Sequence, residues 1–290
     1  MTAPSPSPQH AQDPRQRRER AYRAGARMAR ERMSREAPLD ARALEAVEAA
    51  DIVVVSGTYD HVETVLDALD MPGTRIDPSQ LAQVELRREQ LLVINCPGQI
   101  GPVNLPRIRD FVQIGGSLFT TDWALRHVVE PAFPGTVAFN DRPTQDDVVP
   151  IEVLDHDNPF LAGVMDGSDD PQWWLEASSY PIRVLDRDRV QVLITSRRME
   201  RRYGEAPIAV LIPWGDGEVF HMVSHYYLQR TELRNARHRF GAASYFAEKG
   251  MDAPVDAEGL SLGDVESAQA SARLLANVIA RKKRKDGGAA

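Results

Sequence analysis

The chain has 290 residues, 42% of them hydrophobic and 27% charged, enough for one large or two small domains with a substantial core. No apolar run approaches the roughly 20 residues that span a bilayer, and MTAPSPSPQHAQDPRQRRER holds no apolar signal core, so a cytoplasmic protein is expected. A single cysteine excludes an internal disulfide and a cysteine-rich metal cage.

Residues 1–14 are rich in Pro, Ser and Gln and are expected to be disordered. Arg15 to Arg35 then carries nine arginines against Glu19 and Glu31, and RKKRK occupies 281–285. With a net charge of −7, this is an acidic body between two basic ends. Such ends could attract nucleic acid, an anionic membrane or an acidic protein; equally, they could be a solvated tail and a solvated last helical turn. RQRRERAYRAGARMARERMSRE favours helix, but its apolar face is thin, which leaves it exposed or docked on something else. LDARALEAVEAAD follows, with Asp40 as a plausible N-cap and Leu44 and Val47 on one face. Residues 1–50 are thus read as a basic, partly helical extension, 51–285 as one domain, and 286–290 as a disordered tail.

IVVVSG (52–57) is a continuous β-branched run that stops at glycine, as a strand buried on both faces does. HVETVLDALDMPG (61–73) has Val62, Val65, Leu66 and Leu69 at helical spacing and closes on Pro-Gly. TRIDPSQLAQ could hold a short strand. LLVIN (91–95), the helix LPRIRDFVQIGG (105–116) and SLFTT (117–121) continue the alternation. Strands alternating with helices predict a parallel sheet covered on both faces. VVPIEVLDHDNPF, YPIRVLD and VQVLITS read as strands, and PIAVLIPWGDGEVFHMVSH as a hairpin turning at Gly-Asp-Gly. A last amphipathic helix runs from about Asp264. The fold class is α/β: a three-layer α/β/α sandwich on a doubly wound, mostly parallel sheet with a late antiparallel hairpin.

In such a sheet ligands bind beyond the carboxyl ends of the strands. Three loops there are chemically rich: Ser56-Gly57-Thr58-Tyr59-Asp60-His61, Asn95-Cys96-Pro97-Gly98, and Thr121-Asp122-Trp123. The last strand adds His225 and Tyr226. Each has a plainer reading. Ser56 to Thr58 could turn the chain and cap the next helix, Asp60 and His61 could pair or cap, Asn95 and Gly98 could form a tight turn, and Asp122 could cap a helix starting near Trp123. Cys96 would need a base to act as a nucleophile. His225, oriented by Asp60 or Asp122, would complete a Cys-His-Asp set; a small residue ending a strand is the commoner explanation. His221 and His225 would share a face on a regular strand, but two ligands are too few, so no metal and no cofactor are expected.

LLVINCPG with its helix ending IGG, SLFTTDWA, HDNPFLAGV and PIAVLIPWGDGEVFHMVSH together resemble the class I glutamine amidotransferase-like superfamily, with its flavodoxin-like fold, nearest to its ThuA-like branches. The resemblance covers about 51–230. It implies a nucleophilic cysteine on the sharp turn after SLFTT, where this chain has Thr120-Thr121-Asp122-Trp123. Cys96 lies one strand earlier, at the oxyanion-loop position, so the resemblance argues against glutamine hydrolysis. The expected role is a module binding a small molecule or a protein partner in the crevice. The alternative is a ThuA-like enzyme on a sugar-like substrate, with Asp60, His61, Asp122 and His225 in acid–base roles and Trp123 with the tyrosines against the ligand.

Overall fold

Short apolar β-branched runs do form strands, and amphipathic stretches the helices between them. In a computed structural model that describes residues 13–226, 232–233 and 235–286, the first half runs α1 (Pro14–Glu36), α2 (Pro38–Glu45), β1 (Ile52–Val55), α3 (Val62–Ala68), β2 (Thr74–Ile76), β3 (Leu91–Ile94), α4 (Asn104–Gln113), β4 (Ser117–Thr121) and α5 (Glu130–Ala132). The second half adds β5 (Val137–Phe139), β6 (Asp147–Pro150), β7 (Glu152–Val153), β8 (Gln172–Leu175), β9 (Ile182–Val184), β10 (Gln191–Thr195), α6 (Arg197–Tyr203), β11 (Pro207–Trp214), β12 (Gly217–Met222), α7 (Ala242–Glu248) and α8 (Leu262–Asp286).

The main sheet has the order β2-β1-β3-β4-β12-β11-β10-β7. The first five strands are mutually parallel and the last three join antiparallel. β1, β3 and β4 are buried at every position, which is why β1 and β3 read as unbroken apolar runs and why β4 shows no alternation, although its Ser117, Thr120 and Thr121 are polar. The β1-to-β2 and β3-to-β4 connections travel in opposite directions across the sheet, so right-handed crossovers put α3 and α4 on opposite faces. The result is a three-layer α/β/α sandwich with the flavodoxin-like order 2-1-3-4 at its parallel end. The strand expected within TRIDPSQLAQ is confined to β2: Gln80 accepts from the Asp77 N–H at 2.8 Å in a capping box that starts a short 3-10 helix, Pro78–Gln83. Two small side pairs, β5 with β9 and β6 with β8, form an insertion between β4 and β10.

The thin apolar face of α1 docks on α8. Its buried residues are mostly small, among them Ala21, Ala24, Gly25, Ala26 and Ala29, and small residues let two helix backbones approach closely. A Cβ on Gly25 would lie 2.6 Å from the Gln269 nitrogen and 2.7 Å from the Ala268 carbonyl carbon. Gly25→Ala gains about 1 kcal/mol of helix propensity, but it must push two backbones apart, at about 1–3 kcal/mol or more. We expect a net loss of about 1–2 kcal/mol, read as a lower urea midpoint at unchanged slope.

Much of the basic charge is met by the body. Arg17 pairs with Asp264 at 2.6 Å, Arg23 with Asp256 at 3.3 Å, and Arg32 with Asp166 at 2.6 Å. Arg30 donates to the Leu69 carbonyl and Arg35 to that of Lys249. At the other end Lys282 donates to the Gly115 carbonyl, Lys283 pairs with Asp51 and Arg284 with Asp40. Asp40 is therefore not the N-cap expected of it: α2 opens two residues earlier, at Pro38, whose fixed φ suits a first helical position. Of the stretches expected to be disordered, Asp13 and Pro14 are instead ordered as the N-cap and first residue of α1, Asp13 accepting from the Arg15 N–H, and Asp286 ends α8; 1–12 and 287–290 lie outside the described residues. Among the described residues no helix is long and apolar enough to cross a membrane.

Candidate functional site

Parallel register brings three loops to one place. Val55 of β1 pairs with Ile94 of β3, and Ile94 with Thr120 of β4, so the chain leaves all three strands at the same edge. The loops then bond to one another. The Cys96 carbonyl accepts from the Thr58 and Tyr59 N–H groups at 3.1 and 3.3 Å, and the Cys96 N–H donates to the Thr121 hydroxyl at 3.1 Å. Gly57 makes this possible, because a Cβ there would lie 2.3 Å from the Cys96 carbonyl oxygen. Asn95 accepts from the Val62 N–H at 3.2 Å and donates to Glu63 at 2.8 Å, capping α3 from a neighbouring strand. The Gly98 N–H closes a turn onto the Asn95 carbonyl at 3.0 Å. Buried Asp60 accepts from the His61 and Tyr226 N–H groups at 2.7 and 3.0 Å, tying the first loop to the segment after β12.

The resulting cavity, about 190 Å³, is lined by Tyr59, Cys96, Asp122, Trp123, Glu176, Ala177, Ser178 and His225. Asp122 follows β4 directly with φ +47°, a left-handed conformation uncommon for a non-glycine residue. Its carboxylate does not cap a helix. Oδ1 accepts from the Tyr180 N–H at 2.8 Å and Oδ2 from the Ser179 hydroxyl at 3.1 Å. Oδ2 also lies 3.5 Å from His225 Nε2 and 3.9 Å from Cys96 Sγ. Burial pushes the Asp122 carboxyl up to about 7, against those two donors, which favour the carboxylate. Burial, and next the Asp122 charge, push the Cys96 thiol upward as well, so the group is held as a thiol rather than a thiolate.

His225 is positioned by Ser224, which has φ +62° and whose hydroxyl accepts from the Glu176 N–H at 2.8 Å. His225 Nδ1 lies 2.5 Å from Glu176 Oε2, close enough for an ion pair but not aligned as a hydrogen bond. An aromatic wall flanks the cavity. Tyr59 meets Trp123 edge-on at 5.4 Å, and Trp123 stacks on Tyr180 at 5.6 Å. Trp123 Nε1 donates to the Ser178 carbonyl at 2.7 Å.

Of the residues singled out from sequence, Tyr59, Cys96, Asp122, Trp123 and His225 meet at the cavity, while Gly57, Thr58, Asn95, Gly98 and Thr121 build its frame. Ser56 donates its N–H to the Ile76 carbonyl at the end of β2. His61 is exposed beside Glu63. Tyr226 is fully buried, with its hydroxyl on the Ser271 carbonyl of α8. His221 and His225 do not share a face: β12 ends at Met222 and Ser224 redirects the chain. His221 stays inside the sheet, 2.8 Å from the Thr120 hydroxyl, and burial lowers its pKa to about 3. Glu176, Ser178, Ser179 and Tyr180 were not foreseen. They sit on the β8–β9 connection, about fifty residues from Asp122 and His225 and about eighty or more from Cys96 and Tyr59, and no local spacing announces that.

No protein-family model and no curated protein sequence matches the chain. Similar solved structures include a GMP synthase component from Thermoplasma acidophilum, with 11% identity and a TM-score of 0.47, covering 82% of this chain and 97% of that one. A ThuA-like protein from Bacteroides uniformis has 11% identity and a TM-score of 0.42, covering 59% and 80%. A cytoplasmic protein from Salmonella typhimurium has 13% identity and a TM-score of 0.43, covering 61% and 88%. Likeness at this level carries nothing about a shared reaction.

Proposed function

We propose that the chain is a non-glutaminase relative of the class I glutamine amidotransferase-like proteins that binds a small hydroxyl-bearing ligand at the strand ends. The observation that carries this reading is Asp122. It occupies the left-handed turn after β4 where the resemblance puts a nucleophilic cysteine, and its carboxylate is clamped by Ser179 and Tyr180. A carboxylate beside an aromatic wall offers acceptors for hydroxyl groups and a flat apolar face.

The test is a thermal-shift screen of sugars, nucleotides and amino acids on the full chain, repeated on Asp122→Ala and His225→Ala. A true ligand at a hundred times its Kd stabilises the parent by about 2.7 kcal/mol and leaves both variants unmoved. Equal stabilisation of all three proteins would remove these residues from the site, and glutamine hydrolysis by the parent would sink the reading outright. A second reading, acid–base turnover of a polyhydroxy substrate, is favoured by one contact, Asp122 Oδ2 to His225 Nε2 at 3.5 Å. Product formed from a ligand found in the screen, absent with either variant, would select it.

A further inference from the structure

Three donors of different chemistry converge in the cavity: Cys96 Sγ, a carboxylate oxygen of Asp122 and a ring nitrogen of His225 lie within 4.8 Å of one another, all on buried residues. Sγ to Oδ2 is 3.9 Å and Oδ2 to Nε2 is 3.5 Å. Donors around a tetrahedral zinc with bonds of about 2.0–2.3 Å are spaced about 3.3–3.6 Å apart, so small side-chain adjustments close the set. The arrangement behind the donors points the same way. His225 is buried, and its Nδ1 has no aligned hydrogen-bond partner among the described residues, yet Glu176 Oε2 stands 2.5 Å from it. A carboxylate that accepts the distal N–H is how a ligating imidazole is oriented, and a small rotation of the His225 ring would give Glu176 that role. Asp122 Oδ1 is likewise anchored by the Tyr180 N–H.

We propose that Cys96, Asp122 and His225 bind one Zn²⁺, with a fourth coordination position opening on the cavity. Sulfur and nitrogen donors beside a single carboxylate favour Zn²⁺ over Mg²⁺ or Ca²⁺, which prefer oxygen ligands. On binding, the Cys96 S–H bond breaks, its proton leaves to solvent, and the thiolate bonds the metal. The dication neutralises the thiolate and the Asp122 carboxylate together. Three protein ligands and one open position is the pattern of a site that presents water or a ligand group to the metal, rather than a closed structural site. The inference rests on donor geometry and stands apart from the ligand reading above.

The test uses the untagged full chain, stripped with chelator and titrated with Zn²⁺, with bound metal measured after gel filtration. One Zn²⁺ per chain is expected, and Cys96→Ser, Asp122→Asn and His225→Ala should each weaken binding at least tenfold. Should a variant fail to fold, Co²⁺ titration of the parent decides alone: a thiolate-to-cobalt charge-transfer band supports the site. A Co²⁺ spectrum without that band, no Zn²⁺ bound by the parent, or Zn²⁺ retained equally by Cys96→Ser and His225→Ala overturns it. Running the ligand screen in excess chelator keeps failure of the metal site separate from failure of the ligand reading.

Discussion

Gly57→Ala is expected to cost about 3–5 kcal/mol and to abolish ligand stabilisation. The added Cβ would meet the Cys96 carbonyl oxygen at 2.3 Å and the Asn95 Cβ at 2.6 Å. Neither belongs to a flexible side-chain end, so the loops after β1 and β3 must separate. Overpacking of this kind costs about 1–3 kcal/mol, sometimes more. Separation also strains the Thr58 and Tyr59 N–H bonds to the Cys96 carbonyl, each worth about 1 kcal/mol net. Urea unfolding gives the stability term, and the thermal-shift screen gives the binding term. Parent-like behaviour in both would mean that the two loops do not touch as described.

Glu36→Ala should cost a comparable amount for a different reason. The Arg273 guanidinium is 1% exposed and pairs with Glu36 Oε2 at 3.0 Å, while Arg32, 4% exposed, reaches Glu36 Oε1 at 2.8 Å. Burial pulls the Arg273 pKa below its ordinary value, and Glu36 opposes that pull. Arg32 keeps Asp166 when Glu36 is gone, but Arg273 keeps the neutral Asn277 side chain at 3.1 Å as its direct partner among the described residues, with the charge of Asp40, itself paired with Arg284, acting from further off. Removing one partner of a buried pair leaves an uncompensated charge, at about 3–5 kcal/mol. Since Glu36 itself is 40% exposed, the lower end is expected. Glu36→Gln, which keeps an acceptor, should lose less. A loss below about 0.5 kcal/mol in urea unfolding of Glu36→Ala would show that Arg273 is solvated or paired elsewhere.

The parallel half of the sheet was legible because double burial leaves a plain trace: IVVV, LLVI and SLFTT have no solvent face to encode. The Gly-Asp-Gly hairpin was legible because its turn chemistry is local. The docking of α1 was not, since a face made of alanine and glycine carries little hydropathy and its fit depends on the shape of α8. β5 and β8 were missed as strands. Trp173 and Trp174 of β8 are both buried. Half of the cavity was foreseen, the half at the carboxyl ends of the parallel strands, where topology constrains position. The other half, Glu176 to Tyr180, arrives through an insertion whose placement depends on contacts remote in sequence.

The lashing of α1 to α8 bears on how the polypeptide is made. During synthesis from the amino end, the Ala/Gly face of Pro14–Glu36 emerges more than two hundred residues before its mate, Leu262–Asp286. Until the mate leaves the ribosome, that face and the arginines around it lack their native cover, and closing so long a span comes late in assembly. A nascent chain stalled before residue 262 would therefore present to chaperones, beside its arginines, an alanine and glycine face that the finished molecule buries.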